Sequence, residues 1–155
     1  MAANARKSKK QFVASSRLPR EPLIFFTDET LGRQVVPGAL RAAGVEVKVY
    51  AELFSPGVRD REWLRIAGPK GWVILTKDSA ISYRRNEMQF LLAAGARTFV
   101  LVSSNLPGAE IGAIFVKALP RIKNLCARQP APFIAHVDKD GKVVLMSVQT
   151  GNADW

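Results

Sequence analysis

Apolar and polar residues alternate in blocks along this chain, and the blocks predict strands and helices in turn. Residues 23–27 and 72–76 are short, continuous apolar runs, typical of strands that are buried on both faces of a sheet. Residues 45–50 alternate with period two, which predicts a strand exposed on one side or at a sheet edge. Residues 97–102 form another apolar run and predict a fourth strand.

Between these strands the apolar residues recur at helical spacing. The predicted helices cover residues 30–43, 61–67, 87–94 and 109–127. We expect Pro37 to kink the first helix or to divide it into two short ones. Two further strands, at 133–137 and 142–148, are joined through Asp140-Gly141, which is a hairpin signal.

This order of elements predicts an α/β fold. Alternating strands and helices indicate a three-layer sandwich with helices on both faces of a mainly parallel sheet, and a C-terminal β-hairpin follows. A chain of 155 residues is long enough for one domain with its own core. We place that domain at 22–149, between a basic tail at 1–21, expected to be disordered, and a frayed end at 150–155.

The charge of the chain favours negatively charged partners. The formal net charge is +10, and residues 1–20 contain six basic residues and no acidic ones. Such a surface attracts polyanions, so the tail is either a nucleic-acid-binding arm or a solvated extension. No apolar run is long enough to cross a membrane. The single cysteine, Cys126, is expected to be buried and fits a reducing cytoplasm.

Acidic residues follow the two most apolar strands. Asp28 and Glu29 come directly after the first, and Asp78 ends the third, while Asp60 and Glu62 begin the preceding helix. The carboxyl ends of parallel strands border the ligand crevice of such a sheet, and carboxylates gathered there suit Mg²⁺ or Mn²⁺. At any one position, a helix cap or a turn residue is an equally good explanation.

Several segments together resemble the PIN-like nuclease domains, especially the compact bacterial group associated with toxin–antitoxin systems. The resemblance runs from Pro22 to Val144. Its matching pieces are FFTDETLG (25–32), VPGALRAAG (36–44), DREWL (60–64), GWVILTKD (71–78), LPRI (119–122) and PFIAHV (132–137).

The resemblance implies metal-dependent cleavage of RNA and a small antitoxin protein as partner. It assigns the first acid to Asp28, the second to the cluster of Asp60 and Glu62, and the third to Asp78, with Glu29 as a further candidate ligand. Many related domains carry another acid soon after the third, whereas Ser79 follows here. The predicted site therefore has fewer acids than its relatives. The number of metal ions, the catalytic activity and the formation of a homodimer all stay open.

Other polar residues near the acids are candidates for supporting roles. Arg33, Lys77, Arg84 and Arg85 are predicted to hold an RNA backbone, with a solvated surface as the alternative for each. Thr27 and Thr76 each precede an acid and could orient a ligand, although strand propensity explains them as well. His136 lies in the predicted hairpin and is interpreted as a structural residue.

Two alternatives to the nuclease stay open. A receiver-type phosphoacceptor domain also has an acidic pair after its first strand and an Asp after its third. It needs a lysine after its last strand, and none follows Val102. The other alternative is a non-catalytic module that binds RNA or a protein partner.

Overall fold

The computed structural model describes residues 22–55, 60–79, 84–103 and 105–148, with the side chains of residues 60 and 61 left out. The predictions for the basic tail and for the C-terminal end from residue 150 lie outside the described residues. The sequence Phe54-Ser55-Pro56-Gly57 also predicts a turn, and its last two residues lie outside them as well.

The elements follow the predicted order, and the predicted fold class is confirmed. The strands are β1 (Ile24–Thr27), β2 (Glu46–Val49), β3 (Val73–Thr76), β4 (Arg97–Leu101), β5 (Phe133–Val137) and β6 (Val143–Val148). The α-helices are α1 (Val35–Ala42), α2 (Tyr50–Leu53), α3 (Asp60–Ala67), α4 (Arg85–Ala93) and α5 (Gly108–Arg128). A 3₁₀ turn (Glu29–Leu31) follows β1, and α2 is an element that the hydrophobic pattern did not predict.

The six strands form one sheet in the order β2-β1-β3-β4-β5-β6. The first five strands are parallel, and β6 runs antiparallel to β5, as the hairpin signal predicted. The hairpin turn is closed by the Asp138 N–H, which donates to the Lys142 carbonyl at 3.0 Å. The N–H of Gly141 donates in turn to the Asp138 carbonyl.

The last parallel strand is β5, and Lys139 follows it closely. A lysine therefore does follow the last parallel strand, and its absence after Val102 does not count against a receiver-type domain. Lys139 lines a surface cleft with Lys117, Glu110 and Asp140, on the side of α5. Neither Asp28 nor Asp78 lines that cleft.

Two apolar cores hold the three layers together. On one face, α1 and α5 cover strand residues that include Phe25, Leu75 and Phe99. On the other face, α2, α3 and α4 cover Phe26 and its neighbours. Trp63 and Trp72 stack against the Phe26 ring at 5.0 and 5.9 Å between centroids, so both tryptophans pack in this core.

The first predicted helix is divided, as expected, but the break precedes Pro37. It falls at residues 32–34, where Gly32 adopts a φ of 74°, a value that suits glycine. Pro37 is the third residue of α1, where its missing N–H costs no hydrogen bond within the helix. The break leaves Thr30 in the 3₁₀ turn, close to the end of β1.

The predicted burial of the single cysteine is confirmed. Cys126 is fully buried in the α5 core. None of the described helices has the length and apolar character that a membrane crossing requires.

Candidate active site

The register of the sheet places Asp28 beside Thr76. Thr27 is paired with Leu75 across β1 and β3, so the next residue of each strand lies alongside the other. The backbone agrees, because the Asp28 N–H donates to the Leu75 carbonyl at 3.3 Å. Asp28 is only 6% exposed although it carries a carboxylate. Such a group needs hydrogen-bond donors around it to be stable.

Two threonines supply these donors. Thr30 gives two hydrogen bonds to Asp28 Oδ1, from its N–H at 3.1 Å and from its hydroxyl at 2.5 Å. The Thr76 hydroxyl donates to Asp28 Oδ2 at 2.6 Å. Both oxygens of the carboxylate are therefore bonded, and its plane is fixed between β1 and β3.

The hydroxyl groups are themselves oriented by the backbone that follows β3. The Lys77 N–H donates to Thr30 Oγ1, and the Asp78 N–H donates to Thr76 Oγ1, each at 3.1 Å. A carboxylate only accepts hydrogen bonds, so each hydroxyl directs its single proton at Asp28, although the two hydroxyl oxygens also lie 3.2 Å apart. The result is a relay from the 77–78 backbone through two hydroxyls to one buried carboxylate.

Thr76 thus donates a hydrogen bond to an aspartate, as its position allowed, whereas Thr27 does not. The Thr27 hydroxyl is buried and has no hydrogen-bond partner in the described structure. Thr30 was missed in the sequence. A threonine two residues after an aspartate is a local turn signal, which could have identified it. Asp28 also caps the 3₁₀ turn, so the cap explanation holds for it, and its role as a metal ligand stays a prediction.

Asp78 lies at the same edge of the sheet as Asp28. It is two residues beyond Thr76, is partly exposed, and is tied to Thr76 through its own N–H. The two aspartates therefore share one threonine as a hydrogen-bond partner. Asp28 is the buried member of this pair, and Asp78 is the accessible one.

The other predicted acids are placed less closely. Asp60 is the first residue of α3. The last residue of this helix, Ala67, accepts a hydrogen bond from the Trp72 N–H just before β3, and Trp63 stacks on Phe26, so the helix begins toward the end of the sheet that carries Asp28. Glu62 is exposed on α3, away from the face that buries Trp63. Glu29 is exposed in the 3₁₀ turn. Among the side chains that the structure describes, no three acidic, histidine or cysteine groups converge as a metal site.

Two clefts flank the 3₁₀ turn at this edge. The α2 cleft, of about 470 Å³, is lined by Glu29, Gly32, Arg33, Tyr50, Ala51 and Phe54. The α5 cleft, of about 520 Å³, runs between residues 30–36 and the start of α5, and Lys77, Leu106, Gly108 and Ile111 also line it. Arg33 lines both clefts.

Two of the four predicted RNA-binding cations lie in these clefts. Arg33 is exposed and forms no ion pair or hydrogen bond within the described part of the chain. Lys77 lines the α5 cleft beside Thr30. Arg84 and Arg85 are exposed at the start of α4, and Arg84 lies 3.9 Å from Glu87. They are separated from Asp78 by residues 80–83, which the structure does not describe.

Two basic side chains, one partly buried and one buried, lie outside the acidic edge. His136 is paired with Val100 and Val144 in the sheet, and burial lowers the pKa of its imidazole. Arg97 is buried at the start of β4, and desolvation lowers the pKa of its guanidinium, while the nearby Cys126 opposes this shift. These positions fit structural roles.

Comparison with known proteins gives a family. A family model described as a PIN-like domain matches residues 23–103, from the start of β1 to just beyond β4. No curated protein and no solved structure matches the chain. PIN-like domains are generally nucleases and commonly use divalent metals. The matched segment spans more than half of the sequence and contains the five acids predicted for the site, and the chain belongs to the PIN-like domain family.

Proposed function

We propose that this protein is a metal-dependent endoribonuclease that cleaves RNA phosphodiesters at the edge formed by Asp28 and Asp78. One observation carries the proposal most directly. A buried aspartate at the end of β1 has both carboxylate oxygens fixed by hydroxyl groups, and a second, accessible aspartate follows on the neighbouring strand. This arrangement lies within the segment that matches the PIN-like family.

The donor set at this edge fits a hard divalent cation in kind. Carboxylate oxygens are ligands that Mg²⁺ and Mn²⁺ take, and Asp28 and Asp78 would hold the ion. Asp60 is the proposed third carboxylate, because α3 begins at the same end of the sheet. Bound there, the ion would supply an activated water and offset the charge on the scissile phosphate.

The chain's own groups have separate tasks in this proposal. Thr30 and Thr76 hold the Asp28 carboxylate in one orientation, so that it need not reorganise when substrate arrives. Asp78 faces the substrate side, since it is the more exposed of the two. Arg33 and Lys77 bind phosphates on either side of the acids, which positions the strand.

RNA is the proposed substrate because the positively charged protein attracts polyanions. The acidic residues are confined to one edge of the sheet and so do not offset this attraction elsewhere. The net charge of +10 favours a nucleic acid over a small neutral substrate. Arg84 and Arg85 would extend the cationic surface beyond Asp78.

The direct test is incubation of the full chain with a single-stranded RNA, with Mn²⁺, with Mg²⁺ and with excess chelator. Cleavage that requires the divalent ion is the expected result. Binding of RNA without turnover under all three conditions would favour the non-catalytic module instead. That second candidate is kept because the described side chains do not bring three acids together.

The receiver-type alternative has its own test. Acetyl phosphate should leave Asp78 unlabelled if the nuclease proposal is correct. A phosphoryl group recovered on Asp78, together with intact RNA, would support the receiver function.

The resemblance to compact toxin-type domains supports a further part of the proposal. We place the activity in the cytoplasm and pair it with a small antitoxin protein that blocks RNA access. Inspection of the adjacent reading frames and co-purification of their products tests this pairing.

A further inference from the structure

We infer that the α2 cleft is a nucleobase subsite, in which the base next to the scissile phosphate stacks on Phe54 and is read by Glu29. The inference rests on the proposed function, because it identifies where that substrate's base would bind. The cleft begins at Glu29, the residue directly after Asp28. A nucleotide whose phosphate lies at Asp28 can therefore place its base there without leaving the acidic edge.

The cleft has the composition that a base requires. Its volume of about 470 Å³ lies within the range of small-molecule sites. Phe54 and Tyr50 supply an aromatic wall, Arg33 supplies a cation, and Glu29 supplies a carboxylate. Unpaired bases are recognised by stacking on aromatic rings and by hydrogen bonds to their edges.

Phe54 is the stacking residue because its ring is rigid and partly exposed. It packs edge-on against Phe26 with centroids 6.3 Å apart and lies 5.4 Å from the Tyr50 ring. Tyr50 is 3% exposed, and its hydroxyl donates to the Ser55 carbonyl at 3.0 Å, which ties down the chain after Phe54. A ring fixed in this way loses little entropy when a base stacks on it.

Glu29 and Arg33 give the subsite its selectivity. An ionised carboxylate only accepts hydrogen bonds, so Glu29 favours bases with an exocyclic amine, such as cytosine or adenine. Uracil presents a carbonyl at the corresponding position and is disfavoured. Arg33 lies between the two clefts and binds the phosphate that links this base to its neighbour.

A short single-stranded RNA carrying 2-aminopurine tests the stacking without any cleavage. In the presence of chelator, binding to the full chain should quench the probe, because stacking on an aromatic ring removes its emission. Phe54→Leu should bind the RNA at least about fivefold more weakly than wild type and, when saturated with RNA, lose most of the quenching. Phe54→Tyr, which keeps a ring, should quench like wild type. Leu53→Ala is the matched control, since Leu53 is exposed on α2 and does not line the cleft.

Selectivity is read from the same chain with RNAs that differ by one base. Glu29→Gln should reduce the preference for cytosine over uracil by roughly tenfold, because the amide can also donate to the uracil carbonyl. Quenching that survives in Phe54→Leu overturns the inference. Mn²⁺-dependent cleavage of the same RNA is measured separately. Cleavage without quenching would contradict the base subsite and leave the proposed nuclease function intact. Phe54-dependent quenching without cleavage would contradict the nuclease function and leave the subsite intact.

Discussion

Thr76 and Asp28 lie side by side at the ends of two parallel strands, with the threonine hydroxyl donating to the buried carboxylate at 2.6 Å. Removing this donor leaves a carboxylate oxygen buried without its partner. Thr76→Val should therefore lower the free energy of unfolding by about 1.5–3 kcal/mol, as for hydrogen bonds to charged groups. Urea unfolding measures this loss. Thr76→Ser keeps the hydroxyl and should recover most of the stability, and a serine variant as unstable as the valine variant would contradict the hydrogen-bond explanation.

The position of α3 makes Asp60 and Glu62 unequal. Asp60 begins the helix at the acidic end of the sheet, whereas Glu62 lies on the solvent side of α3. Asp60→Asn should slow Mn²⁺-dependent RNA cleavage by at least about tenfold, and Glu62→Gln should leave it within about twofold. Cleavage assays on the two purified variants make the comparison. Equal losses of cleavage rate in the two variants would mean that Asp60 and Glu62 act through their combined charge.

Arg33 and Lys77 should control how RNA affinity depends on salt. Each phosphate contact that is lost reduces the slope of log affinity against log salt by roughly 0.7 for a single strand. Arg33→Gln and Lys77→Gln should each show this change in a fluorescence anisotropy titration. Lys123→Gln is the control, because Lys123 is exposed near the opposite end of α5. An unchanged slope in both cleft variants would exclude them from the RNA path.

His136 should make the fold sensitive to mild acid. Burial lowers the pKa of the folded imidazole below its ordinary value of 6.5, so the unfolded chain binds a proton first as the pH falls. Stability should be unaffected by this group above pH 6.5 and should decrease as the pH falls below it. Asp138 also has a lowered pKa, chiefly through the Lys142 N–H, but its ordinary value of 3.8 places its effect at more acidic pH.

Thermal unfolding at pH 7 and at pH 5 tests this prediction. His136→Gln removes the titrating group. The decrease in stability from pH 7 to pH 5 should therefore be smaller in this variant than in wild type. If wild type and His136→Gln lose the same stability between pH 7 and pH 5, other groups cause the pH dependence.

The elements of this fold could be predicted because their sequences are locally consistent. The runs at 23–27 and 72–76 have the continuous apolar character of buried parallel strands, and the structure has β1 and β3 there. Asp140-Gly141 identified the final hairpin for the same reason, since few residue pairs suit that turn. Helix α2 was missed because four residues are too short for a helical period to show.

The candidate site was only partly predictable, because its geometry depends on pairing over long sequence distances. Asp28 and Asp78 could be identified from their positions after apolar strands. Their shared contact with Thr76 requires the β1–β3 register, which no local pattern gives. Thr30 enters the network because the chain breaks its helix at Gly32 rather than at Pro37. Tertiary packing decided that position.

The most direct test of the account is RNA cleavage with Mn²⁺ by wild type, Asp28→Asn, Asp78→Asn and Asp140→Asn. Asp140 is an exposed acid in the β5–β6 turn and serves as the control for loss of one negative charge. Wild type and Asp140→Asn should cleave at similar rates. Asp28→Asn and Asp78→Asn should each reduce the cleavage rate by at least roughly a hundredfold. Losing a residue that only supports a metal ligand costs up to this much, and losing a ligand should cost no less. Cleavage at the wild-type rate by both of these variants would contradict the proposed site.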